Sequence, residues 1–282
     1  MWKQKLCLGT SDQYGMSVEE QIRLFCRTGF EGFFTGWSCG EDISACRRLA
    51  DELGMIYQSV HAPFGKAAVM WSGTAAERDA AVAELCECVA ACAQNGVSIM
   101  IIHPYIGFDE HEPNEIGAES YERVVRFAAD KGVQLAFENV EQERHLEYLF
   151  EKFLKYENVG FCWDSGHEMC YNRGRDMLAV CGKRLIATHL NDNLGIRDCG
   201  GGITWTDDLH LLPYDGIIDW SYAAERLAEC GYDGILTFEL NTLSKPERHE
   251  NDKYSKMPIE EYISEAYIRA CRFAAELGRI KK

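Results

Sequence analysis

The sequence has no run of eighteen apolar residues, so no segment reads as a helix long enough to cross a bilayer. Its start, Met-Trp-Lys-Gln-Lys, leads directly into Leu6-Cys7-Leu8. That start lacks the apolar core and small-residue cleavage site of a secretory leader. No Cys-x-x-Cys pair occurs among 13 cysteines; Cys86 and Cys88 stand two apart, and the rest are scattered among apolar neighbours. The pattern reads as buried thiols in a reducing cytosol, not as a disulfide framework or a thiolate zinc site, and a cytoplasmic location is expected. Positive charge is also scarce. Lys and Arg number 29 against 45 Asp and Glu, a net charge of −16. Such a surface repels phosphate backbones at long range, which counts against a general nucleic-acid binder while leaving room for one local basic groove. No Gly-x-Gly-x-x-Gly follows a first strand, and no linker or composition break divides the chain. Residues 1–282 are therefore expected to form one domain, although dividing by ~150 residues per domain would suggest about two.

What the chain does contain is the balance of a globular protein, 46% hydrophobic and 26% charged. One junction recurs: a helical stretch ends at Gly and a short apolar run follows. It occurs at Gly29, Gly54, Gly96, Gly132, Gly182 and Gly231, and less cleanly at Asn158-Val159-Gly160-Phe161. Gly accepts the left-handed conformation that ends a helix without a Cβ penalty. Seven junctions plus an opening strand near Leu6–Gly9 give eight strands. Ser17–Glu20 and Thr74–Glu77 have capping-box spacing. Val82, Leu85, Cys86, Val89 and Ala93 trace one helical face. Pro258, with Glu260 and Glu261, suits the start of the last helix. Strands alternating with helices imply parallel pairing, and near-continuous apolar strands imply cover on both faces. The count and length fit a closed (β/α)8 TIM barrel better than a doubly wound sheet. The longest connections, 62–74, 104–116, 191–218 and 241–257, all follow strands and so gather at the carboxyl rim, where barrel active sites lie.

Six consecutive strands end in His, Asp or Glu. The third ends at His61, the fourth at His103, the fifth at Glu138 and the sixth at Asp164 with His167 just beyond; the seventh ends at His189 and the eighth at Glu239. In a barrel these ends converge, and unshielded acids and imidazoles together cost several kcal/mol each unless paired or metal-bound. A divalent cation is the simplest compensation. Taken singly, a strand-end His or Glu is more often a hydrogen-bonded rim residue; six in succession are hard to explain that way. Glu138, Asp164, His189 and Glu239 make an oxygen-rich set with one imidazole, suited to Mn, Mg, Co or Zn. His61, His103 and His167, with Asp208 and His210 from the long loop after the seventh strand, could add one or two nitrogen-richer sites favouring zinc. The expectation is therefore one to three ions.

These residues carry a family resemblance that runs from the first strand to the last helix. Asp164-x-x-His167, His189-Leu-Asn-Asp192, Asp208-x-His210 followed by Leu-Pro-Tyr-Asp-Gly and Ile-Asp-Trp220, and Phe238-Glu239 resemble the xylose-isomerase-like barrel superfamily. That superfamily includes a sugar-phosphate isomerase/epimerase group and apurinic-site endonucleases of the endonuclease IV type. The epimerase resemblance implies one metal on Glu138, Asp164, His189 and Glu239, with Glu138 and Glu239 as proton shuttles and His167 touching substrate. The endonuclease resemblance implies further ligands at His61, His103, His167, Asp208 and His210 around three zinc ions.

The leading expectation is a metal-dependent isomerase or epimerase acting through an enediolate on a small sugar or sugar phosphate in carbohydrate metabolism. The alternatives are a multi-zinc phosphodiester hydrolase and a non-catalytic metal or sugar binder. The loop 104–116 carries Asp109, Glu110, Glu112 and Glu115 and no Lys or Arg, which opposes a nucleic-acid substrate. The expected partner is a small molecule, with neither nucleic acid nor membrane. Association with further copies through helix faces is compatible with the sequence but unmarked in it. Trp37, Phe64, Trp71, Tyr105 and Trp205 lie where a sugar face could stack, though each singly also suits a packing role. His61, His103 and Trp37 are candidate substrate contacts. Arg173, with Arg175, is a candidate hold for a substrate phosphate. Gly200-Gly201-Gly202 suggests a mobile segment or a tight turn, and Lys245–Lys256 reads as a solvated loop.

Overall fold

The computed structural model describes residues 2–197 and 202–281. Strands β1 (Leu6–Gly9), β2 (Gly32–Gly36), β3 (Ile56–His61), β4 (Ile99–Ile102), β5 (Gln134–Glu138), β6 (Val159–Asp164), β7 (Leu185–His189) and β8 (Leu236–Phe238) alternate with helices. The helices are α1 (Val18–Thr28), α2 (Ser44–Leu53), α3 (Val69–Ser72), α4 (Ala75–Gln94), α5 (Glu115–Lys131), α6 (Arg144–Lys152), α7 (Ser165–Met169), α8 (Met177–Cys181), α9 (Trp220–Glu229) and α10 (Ile259–Ile280). The strands pair in parallel in the order β7-β6-β5-β4-β3-β2-β1-β8. The two ends meet just past β7, where Leu190 N–H donates to Thr237 O (2.8 Å) and Glu239 N–H donates to Leu190 O (3.2 Å). The result is the expected single-domain (β/α)8 barrel.

Local chemistry sets the element ends. Both capping boxes form, Ser17 with Glu20 and Thr74 with Glu77. Gly29, Gly54 and Gly132 end their helices in the left-handed region. Gly182 does not, with φ −60°. It is required for a different reason, since a Cβ there would strike Cys230 Sγ. The buried face of α4 runs through Ala81, Val82, Leu85, Cys88, Val89 and Cys92, so Cys86 and Ala93 flank it rather than centre it.

Strand parity positions the site. Side chains alternate between the two faces of a strand. Ile101, Ala136, Cys162 and Ala187 point into the barrel and form a small inner cluster, with Ile99 and Ile186 partly buried beside it. Two residues further along the same strands, on the same side, come His103, Glu138, Asp164 and His189. Their opposite neighbours, including Ile102, Phe137, Trp163 and Phe238, belong to the larger core between strands and helices. The inner cluster is thus the dry floor on which the polar strand ends stand.

Candidate metal centre

The strand ends converge as the parity requires. Four groups of potential ligands form among the described residues, each with ligand atoms within 4.8 Å of one another; one of them, Glu138, Cys162 and His189, overlaps the first of the three that follow. Glu138, Asp164, His189 and Glu239 make the first; His61, His103 and Glu138 the second; His167, Asp208 and His210 the third. Glu138 is shared by the first two. Its Oε1 lies 2.9 Å from His189 Nδ1, and its Oε2 lies 3.1 Å from His103 Nε2 and 3.3 Å from His61 Nε2. His189 Nδ1 also lies 3.0 Å from Glu239 Oε2. In the third group Asp208 faces His210 Nε2 at 2.8 Å and His167 Nε2 at 3.5 Å. All nine sequence candidates for metal ligation are therefore brought together.

Hydrogen-bond bookkeeping tests whether cations fit. Nδ1–H of His61 donates to Ala62 O (2.9 Å), that of His167 to Asn139 O (3.0 Å) and that of His210 to Glu239 O (3.3 Å). Each neutral ring then turns a bare Nε2 lone pair toward a carboxylate oxygen. Two lone pairs facing each other repel unless a proton or a cation lies between them. His189 sets the same problem differently, because its one Nδ1 faces two carboxylates. Backbone carbonyls that fix the far nitrogen are the usual outer shell of metal-binding histidines. His103 Nδ1, His189 Nε2, Asn191 Oδ1 and Asp208 Oδ1 are buried around this cluster with no hydrogen-bond partner among the described residues. The donor set fits divalent cations, oxygen-rich in the first group and nitrogen-richer in the other two.

Without cations, protons take their place. Burial opposes charge on His167, His189 and His210, but the facing carboxylates win; His167 and His189 lie well above the ordinary range and His210 rises to about 9. Burial likewise opposes ionisation of Glu239, yet His189 and His210 pull it down to about 2. Burial dominates at Asp164, raised to about 6, and at His103, lowered to about 4.

Several residues that position this centre escaped the sequence reading. Asn139 donates to Asp164 O (2.8 Å) and accepts from Asp164 N–H (2.8 Å), and Asn191 Nδ2 donates to Asp164 Oδ2 (2.9 Å). Gly166 must be Gly, because a Cβ would overlap Asn191 Oδ1. Asp192 is no ligand. Its Oδ1 accepts from Asn193 N–H and Ile218 N–H, and its Oδ2 from Tyr214 N–H and Trp220 Nε1–H, at 2.8–3.1 Å. It knots the loop that carries Asp208 and His210. Asp192→Asn would turn an amide N–H₂ against two donors. We expect a loss of about 1–3 kcal/mol, read as a lower Tm, and reduced occupancy of the third group in metal analysis.

Similarity to known proteins agrees with this geometry. A family model described as Xylose isomerase-like TIM barrel matches residues 27–265. The chain belongs to that family. The uncharacterized protein y4fM of Sinorhizobium fredii is 31% identical over 161 residues, 54% of this chain; the chain spans about half (49%) of that relative's length. Among solved structures, D-psicose 3-epimerase with D-tagatose from Clostridium cellulolyticum H10 superposes with TM-score 0.70 at 17% identity, covering 99% of both chains. The IolI protein with a bound zinc atom superposes with TM-score 0.76 at 17% identity, covering 96% and 98%. At that identity these two structures establish the shared fold.

In this xylose isomerase-like barrel a cleft of about 420 Å³ opens beside the ligands on the β1–β3 side. Phe34, Trp37, His61, Phe64 and Glu239 line it, with Thr10, Ser11 and Gln21, and no Lys or Arg. Phe34 stacks on His189 (4.6 Å) and Phe64 on His103 (4.6 Å). Trp37 and Phe64 line this cleft, Trp37 with its Nε1–H donated to Glu41 O (3.1 Å). Trp71 and Tyr105 do not. Both are buried against His145, at 4.6 and 4.2 Å between rings, and Trp71 Nε1–H donates to Pro104 O. Trp205 is exposed beneath Lys245. Arg173 lines a second cavity, whereas Arg175 is engaged by Glu143 and Glu147. The segment read as solvated, Lys245–Lys256, is partly anchored. Arg248 is buried on Asp207 (2.9 Å), and Lys245 Nζ lies 3.9 Å from Asp208. Most of Gly200-Gly201-Gly202 lies outside the described residues. No helix among the described residues is long and apolar enough to cross a membrane.

Proposed function

We propose that the protein is a divalent-metal-dependent isomerase or epimerase of small sugars or their phosphates. The observation that carries this reading is the pairing of Glu138 and Glu239 across His189, with Glu239 opening onto a polyhydroxyl-sized cleft free of cations. A bound cation would supply Lewis acidity toward a carbonyl and its neighbouring hydroxyl. The rest of the chemistry falls to the chain. Glu239, 28% exposed at its side chain, reaches the cleft and takes the proton beside the carbonyl. Glu138 is fully buried and faced by His61, His103, His167 and His189 within 4 Å; it returns a proton to the carbon only after taking one from His189 Nδ1, 2.9 Å away, which then recovers one from Glu239 at 3.0 Å. Two bases on opposite faces of one carbon invert it; transfer along the carbons exchanges aldose and ketose. Phe34, Trp37 and Phe64 offer apolar walls to a sugar face, and Thr10, Ser11 and Gln21 offer hydrogen bonds to hydroxyls. Solved relatives in this fold whose names are D-psicose 3-epimerase support the same reading.

The test is solvent exchange. Protein loaded with Zn, Mn or Co and incubated with ketohexoses in heavy water is expected to place deuterium beside the carbonyl, and chelator-stripped protein to place none. Equal exchange by the stripped protein would overturn the proposal.

A second reading has one specific observation in its favour. The His61/His103/Glu138 and His167/Asp208/His210 groups supply what phosphodiester hydrolysis by several ions needs, beyond what proton transfer alone requires. The −16 charge and the cation-free cleft oppose it. Incision of an abasic duplex at low salt would favour it over the isomerase.

A further inference from the structure

Two cavities flank the ligand set, and the second has no part in the chemistry above. It measures about 460 Å³ and lies at the rim after β4, β5, β6 and β7, lined by Phe108, Glu141, Tyr171, Arg173 and Ile203 among others. A row of rings separates it from the first cleft: Phe64 on His103 (4.6 Å), His103 to His167 (6.3 Å), His167 to Tyr171 (4.8 Å) and Tyr171 to Phe108 (5.8 Å). The two linings share no residue.

Resting on the isomerase reading, we propose that the second cavity is a carbohydrate subsite, so that the substrate is a keto-disaccharide or ketose glycoside whose second unit binds there. Three observations carry it. Glu141 is 8% exposed and lines the cavity, its carboxyl held by its own backbone N–H and by no other residue's side chain among the described residues. One backbone donor leaves most of a carboxyl's hydrogen-bonding capacity unused, and a ligand hydroxyl could take it up. Phe108 is 40% exposed at the cavity wall, edge-on to Tyr171, and such a ring takes the C–H face of a sugar. The charge selects the ligand. Glu110, Glu141 and Glu143 line the cavity against Arg144 and Arg173; Arg144 is engaged by Glu112 and Glu143 by Arg175, which leaves Glu110 and Glu141 against Arg173. That excess of acid disfavours a phosphate and admits a neutral polyol. Burial raises Glu141 to about 7, so its carboxyl serves as donor or acceptor near neutrality.

The experiment uses the full-length, metal-loaded protein. Solvent-deuterium exchange is measured on D-fructose and on the keto-disaccharides lactulose, maltulose and turanose, with calorimetric binding of the same sugars alongside. At least one disaccharide is expected to exceed fructose tenfold in kcat/KM, chiefly through KM. Phe108→Ala and Glu141→Gln should each lower that disaccharide-to-fructose ratio at least tenfold. Exchange on fructose with no disaccharide advantage overturns the subsite while leaving the isomerase reading intact. So does an advantage for fructose 6-phosphate that Arg173→Ala abolishes. If no sugar exchanges, the isomerase reading fails and calorimetry decides alone: disaccharide binding weakened tenfold by Phe108→Ala upholds the subsite, and its absence overturns it.

Discussion

Glu239→Gln is expected to lower the rate of proton exchange by about 10²–10⁴-fold, the usual worth of a positioned general base, while metal content stays near that of the parent protein. The side chain is isosteric, and its carbonyl oxygen can still face His189 Nδ1, now 3.0 Å from Glu239 Oε2. What it loses is the capacity to carry a proton. Glu138→Gln should behave differently. Both oxygens of Glu138 are engaged, one by His189 and the other by His103 and His61. An amide must turn its N–H₂ toward at least one of these groups, so ions of the first and second groups are expected to be lost together. The His167/Asp208/His210 group, which lacks Glu138, should keep its ion. Metal analysis per chain beside exchange kinetics separates the two variants. Undiminished exchange in Glu239→Gln would place the base elsewhere.

Why the ligands were legible in the sequence and their supports were not follows from range. A helix cap acts within four residues, so Ser17–Glu20 and Gly132 declare themselves locally. Strand ends declare themselves too, because each of His61, His103, Glu138, Asp164, His189 and Glu239 closes an apolar run, and barrel closure does the rest. Asp192 carried no such signal, standing only in the motif His189-Leu-Asn-Asp192. Its partners Tyr214, Ile218 and Trp220 lie 22–28 residues on, and nothing local distinguishes a loop knot from a ligand. Trp71 and Tyr105 were misplaced for a related reason: they occupy rim loops, yet those loops fold back over His145 and bury them. Arg248 reads as solvated until Asp207, 41 residues earlier, is brought beneath it. Glu141 had no signal except its place three residues after Glu138; its importance arises from a cavity built by four different connections.

The same electrostatics predict that bound metal reverses the pH dependence of stability. In the ion-free protein His167, His189 and His210 hold protons against facing carboxylates, with His210 at about 9. An unfolded His titrates near ~6.5. A folded value above the unfolded one gives stability that is complete below ~6.5 and lost as pH rises through the folded value. Chelated protein should therefore lose Tm steadily between pH 6.5 and 9. His103, lowered to about 4 by burial, is already neutral across that window and contributes nothing to the slope. With excess Zn or Mn the sign changes. Each ion must displace the protons on its histidines, so affinity climbs with pH, and binding to the folded state alone stabilises it by RT ln(1 + [L]/Kd). Each proton displaced is worth up to about tenfold in affinity per pH unit, or ~1.4 kcal/mol. Two melting series, one with chelator and one with metal, are expected to diverge as pH rises from 6.5 to 9. Calorimetry of metal uptake in buffers of different ionisation enthalpy should show proton release at pH 7. Parallel series without proton release would mean that the facing imidazoles and carboxylates are an ordinary hydrogen-bonded rim, and that cations do not bind between them.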